Sequence, residues 1–130
     1  MYAPVIRSAR TRKRYKFGPY EAAFLDQIVA EGSIEYDFII VVFEEKATDP
    51  FLLVTSERND PGADAQLLQD LGLDPDMMAD ENGATHFLCL FDEQGHQNFA
   101  GSSDWGDADK FEAAALRILT QRLGGTPMAV

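Results

Sequence analysis

The sequence predicts an α+β domain: a single layered unit with a mainly antiparallel sheet of four to five strands and helices packed on one face. Three observations predict it. Short runs rich in Ile, Val and Phe recur with turn-forming residues between them. Apolar residues at helical spacing alternate with those runs. Of the 130 residues, 45% are hydrophobic, including nine Phe, which is material enough for one core. A chain of this length is one domain and buries roughly two-thirds of the surface its unfolded form exposes.

Residues 1–17 read as a basic N-terminal arm or edge strand. Val5, Arg7, Ala9, Thr11, Lys13, Tyr15 and Phe17 share one parity, while Ile6, Ser8, Arg10, Arg12, Arg14 and Lys16 share the other. If extended, the segment presents a strongly basic face, a common guard against edge-to-edge aggregation. Gly18-Pro19 predicts a helix start, because proline's missing N–H has no intrahelical partner in the first turn. Glu21 suits the positive end of that helix, Phe24, Leu25, Ile28 and Val29 give it an apolar stripe, and Gly32 ends it.

Tyr36–Glu44 is apolar on both parities, which predicts a strand covered on both faces. A polar loop at 45–50 leads to a second strand over 51–57, paired with the first as a hairpin. Asn59-Asp60-Pro61-Gly62 is a turn, and 63–71 reads as a short helix with Leu67, Leu68 and Leu71 inward. An acidic loop over 74–83 precedes a third strand at 85–91. The Asp92–Gly95 turn then leads to a fourth at 96–101.

Asp109 and Glu112 have capping-box spacing ahead of a helix whose stripe is Phe111, Ala115, Ile118, Leu119 and Leu123. Gly124-Gly125 stops it. The expected order is arm or strand, then α-β-β-α-β-β-α. Residues 18–125 form the domain and 126–130 a frayed tail.

Charge divides the chain. Arg7, Arg10, Arg12, Lys13, Arg14 and Lys16 give the first sixteen positions +6 and no acid, leaving −17 on the rest and −11 overall. An acidic body repels nucleic acid and anionic membrane and attracts basic surfaces. The arm mixes cations with Tyr15 and Phe17 as nucleic-acid binders do, but a phosphate backbone reaching it meets the body's repulsion within a Debye length, about 8 Å. Pairing of arm cations with the chain's own acids, or those of a symmetry-related copy, is the simpler use. The longest apolar run, Phe38–Phe43, is far short of the ~20 residues that span a bilayer. The expectation is a cytoplasmic protein with no membrane partner.

Chemistry-bearing residues are sparse. His86 and Cys89 sit on opposite strand faces, so that pair does not begin a zinc site. Cys89 and His96 fail as a thiol nucleophile and base, because Cys89 lies between Leu88 and Leu90 rather than in an electropositive setting. Asp104, Asp107, Asp109 and Glu112 lack calcium-loop spacing, and Glu44-Glu45 with Glu57 and Asp92 lack the defined environments of an acid–base pair. No catalytic, metal or cofactor site is assigned.

The richest polar stretch is His96, Asn98, Ser102, Ser103, Asp104 and Trp105, with Glu57 as a candidate neighbour. His96 and Asn98 share a strand face, and Trp105 is placed to close over them. Turn chemistry at Asn98, Ser102 and Asp104 is the plainer use of the same residues.

Two functional expectations follow. The first is a small acidic, non-catalytic binding or regulatory protein, chaperone-like or inhibitor-like, that docks a basic protein partner. The second is a small-molecule-binding protein or enzyme with a site around His96, Asn98, Ser103 and Trp105, which a pocket holding His96 beside Asn98 or Glu57 would favour. A homodimer is expected from the arm and the wide stripe of the last helix.

Overall fold

A computed structural model describes residues 4–58 and 85–130. Seven strands form one sheet: β1 (Ile6–Phe17), β2 (Tyr20–Ala30), β3 (Tyr36–Glu44), β4 (Leu52–Arg58), β5 (His86–Asp92), β6 (Gly95–Gly101) and β7 (Met128–Ala129). Their order is β6-β5-β4-β3-β2-β1-β7, and every pairing is antiparallel. A 3-10 turn (Ser103–Gly106) leads into α1 (Ala108–Leu123), the single α-helix among the described residues. The expected sheet of four to five strands with several helices is therefore corrected to a seven-stranded antiparallel sheet with one helix near the C-terminus. The expected turn at 59–62, helix over 63–71 and loop over 74–83 lie outside the described residues.

The main correction falls on the expected helix after Gly18-Pro19, which is β2. Gly18, at φ +55, makes with Pro19 a two-residue hairpin loop that brings Phe17 opposite Tyr20. The stripe Phe24, Leu25, Ile28 and Val29 satisfies a helix, but it also supplies apolar residues to both parities of a strand. The sheet buries both faces, so both parities are used. At Gln27, with φ 50, β2 carries a bulge: Arg10 pairs with Asp26 and Ser8 with Val29. The inward parity changes there. Ala23 and Leu25 before it, and Ile28 and Ala30 after it, join one cluster.

On one face Phe17, Phe24, Ile40, Val42, Leu52, Val54, Leu88 and Leu90 receive Phe111, Ala115 and Leu119 of α1. The Phe111 ring meets Phe24 edge-on at 5.6 Å and stacks on Phe38 at 5.5 Å. The other face buries Ile39, Val41, Leu53, Cys89 and Phe91.

The helix forms where the sequence places it, but its cap is Asp107 rather than Asp109. The Asp107 carboxylate accepts from the backbone N–H groups of Asp109 and Lys110. Glu112 is not a capping partner; it accepts hydrogen bonds from Tyr15 and Lys13 of β1. Gly124, at φ 73, closes the C-terminus. The tail does not fray along its length: Ala129 and Met128 pair with Tyr15 and Lys16 as β7. No helix among the described residues is long and apolar enough to cross a membrane.

Candidate functional site

Strand register assembles one cluster that no local motif announces. Glu57 of β4 lies opposite Phe87, Cys89 of β5 opposite Thr55 and Asn98, and His96 of β6 opposite Phe91. Alternation then sends Thr55, Glu57, Cys89, Phe91, His96 and Asn98 to the same sheet face. The register runs unbroken from the Asp92–Gly95 turn to Cys89–Asn98, and the β5–β6 bulge falls beyond it, between Leu88 and Cys89.

One ligand atom each from Glu57, Cys89 and His96 lies within 4.8 Å of the other two. The Cys89 thiol donates to Glu57 Oε2 at 3.4 Å. The His96 ring stacks on Phe91 with centroids 4.6 Å apart, which fixes its plane. Burial pushes the Cys89 thiol up to about 12, and the Glu57 charge adds to that shift. The adjacent Thr55 hydroxyl works the other way. It is fully buried, and Thr55 Oγ1 lacks a well-formed hydrogen bond. This thiol is the opposite of an activated nucleophile.

The expected polar stretch divides. His96, Asn98 and Glu57 share the face just described. Trp105 packs against the core on the helix face, where its carbonyl accepts from the Ser56 hydroxyl at 2.5 Å. It therefore does not close over His96. Ser102 caps the 3-10 turn by accepting from the backbone N–H of Asp104, and Ser103 opens that turn. Asp104 is paired with Lys110 at 3.5 Å. These contacts are the turn chemistry that the residue types offer.

The basic segment is β1, and its cations meet the chain's own acids. Arg10 grips Asp26 with two hydrogen bonds of 2.8 and 2.6 Å, and Arg12 approaches the same carboxylate at 3.6 Å. Arg7 pairs with Glu31 and Lys13 with Glu112. Arg10's hydrogen bonds hold the Asp26 carboxyl below the usual range, with Arg12 assisting and burial opposing. Among the described residues, Arg14 and Lys16 have no ion pair.

A second polar group joins the far ends of β3, β4 and β5. His86 Nε2 lies 2.6 Å from Asp37 Oδ2, Thr85 Oγ1 lies 2.8 Å from Nδ1, and Arg58 reaches Asp37 at 2.5 Å and Glu35 at 2.9 Å. Gly106 rests on the imidazole so closely that a Cβ there would come 2.7 Å from Cε1. The group ties strand ends to the 3-10 turn.

Parity along β5 correctly separates His86 from Cys89. Glu57 was a candidate neighbour of His96; what sequence reasoning missed is its contact with Cys89, which is set by pairing across strands distant in sequence. No family model matches the chain, and neither a curated protein nor a solved structure shows significant similarity to it.

Proposed function

We propose that this is a small acidic binding protein, acting in a chaperone-like or inhibitor-like way without catalysis, that docks a basic protein partner. One observation carries the reading: successive hairpins of the meander place the β1–β2, β3–β4 and β5–β6 turns at one end of the sheet. That end gathers exposed Glu21, Glu44, Glu45, Asp49 and Glu93, none in an ion pair among the described residues. The nearby cations are Lys16, opposite Glu21 in register, Lys46, and Arg122, which is engaged with Asp92.

Between these turns lies a groove of about 330 Å³ lined by Tyr20, Phe51, Asp92, Glu93 and Arg122. Tyr20 and Phe51 pack with ring centroids 5.3 Å apart. Aromatic faces flanked by carboxylates suit a Lys or Arg side chain, through cation–π attraction and charge together. The −11 net charge steers such a partner from a distance.

Charge reversal tests this: Glu44→Lys, Glu45→Lys and Glu93→Lys combined. The reading predicts that the native chain captures a basic protein from its native extract at low salt, that added salt releases it, and that the reversed variant does not capture it. Equal capture by both forms would overturn the reading. A separate small-molecule reading draws on the face where one ligand atom each of Glu57, Cys89 and His96 lies within 4.8 Å of the others.

A further inference from the structure

We propose that Glu57, Cys89 and His96 form a binding site for a zinc-class divalent cation, with the fourth position open to solvent or to a ligand. Three donor types favoured by zinc (thiolate sulfur, imidazole nitrogen and carboxylate oxygen) come together from three neighbouring strands, each atom within 4.8 Å of the others. Ligand atoms around a tetrahedral zinc sit roughly 3.5 Å apart, given bonds of about 2.0–2.3 Å. Each separation therefore closes by about 1.3 Å at most, and the Cys89–Glu57 pair, at 3.4 Å, needs no closing at all.

The surroundings fit an ion. Cys89 is fully buried and supplies a fixed anchor, while His96 is exposed on the edge strand β6 and leaves a route in from solvent. Phe91 stacks on the imidazole and limits its reorientation. Thr55, directly across from Cys89, carries a fully buried hydroxyl that lacks a well-formed hydrogen bond, an uncommon state that marks this spot as polar inside an otherwise apolar face. A thiol that merely donated to Glu57 would leave both Thr55 and the convergence of His96 unexplained.

On binding, the metal–sulfur bond forms as the S–H bond breaks, and the proton passes to solvent. Thiolate and carboxylate together balance the dication, so the occupied site is neutral. The inference rests on the Glu57–Cys89–His96 geometry and is independent of docking at the turn end.

Titration of the full chain with cobalt(II), a spectroscopic stand-in for zinc, tests it. The expected result is one equivalent bound with a thiolate-to-cobalt charge-transfer band, displaced by zinc. The band should vanish in Cys89→Ser, and affinity should fall at least tenfold in His96→Ala. Because Cys89 lies in the core and its variant can fail to fold, His96→Ala on the exposed strand carries the decision. Cobalt bound without the thiolate band, affinity unchanged in His96→Ala, or no binding at micromolar metal would each overturn the proposal.

Discussion

Cys89 shows how much a residue's chemistry depends on what lies across the strand. Its apolar flanks were legible in the sequence, and they rightly indicated a buried thiol. Its contact with Glu57 was not legible, because it comes from the register of β4 against β5. With the thiol raised to about 12 from an ordinary 9.0, the thiolate fraction at a given pH falls about 1000-fold. Alkylation at pH 8 should accordingly be slower in the native chain by on the order of 10³ than in denaturant, and comparable rates would contradict the burial described here.

Asp26 makes a second residue-scale case. Its carboxyl is depressed in the folded chain, so in the acid range the unfolded chain binds more protons and stability rises with pH. The stabilisation is complete above the ordinary carboxylate value of about 3.9 and is lost as pH falls through the lower, folded value. In urea unfolding at pH 7 and pH 3, Asp26→Asn should be less stable than the native chain at pH 7, with the gap narrowing at pH 3. A gap that is constant with pH would mean that the Arg10 pair is not responsible.

At the scale of elements, β3 and α1 were legible because each has one dominant pattern: apolar residues on both parities, and a stripe of period 3.6 stopped by Gly124. The segment 20–30 was not. Phe24, Leu25, Ile28 and Val29 fit either period, and Gly18-Pro19 serves a helix start as well as a hairpin loop. The tie is settled by tertiary structure, since Ala22 and Phe24 pack under α1 while Ala23 and Leu25 serve the opposite face. A bulge at Gln27 then conceals the period of two in the sequence.

The helix holds its face of the sheet chiefly through Phe111, which is fully buried between Phe24 and Phe38. Phe111→Ala should cost about 3–5 kcal/mol in denaturant unfolding, the range for truncating a buried aromatic side chain. A loss under about 1 kcal/mol would mean that α1 docks less tightly than its contacts require.

For the molecule as a whole, the charge division seen in the sequence has a structural answer that composition alone did not give. The basic segment is not a free arm but the penultimate strand, with Tyr15 and Phe17 buried and four of its six cations paired with acids of the same chain. The stripe of the last helix is likewise spent on the sheet, through Phe111, Ala115 and Leu119. Deleting residues 1–17 should therefore unfold the protein rather than release an independent body, which circular dichroism and thermal melting would show. A cooperative melt of the 18–130 chain near that of the full chain would contradict this.

The fold thus pairs most of its cations with its own acids and turns unpaired carboxylates outward at the hairpin end, where Glu44, Glu45 and Glu93 flank the Tyr20–Phe51 groove. The most direct measurement is capture from native extract at low salt by the native chain and by the Glu44→Lys, Glu45→Lys, Glu93→Lys variant, with protein and nucleic acid both assayed. The account predicts a basic protein retained by the native chain, released by salt and lost in the variant. Capture of nucleic acid instead, or of the same protein by both forms, would contradict it.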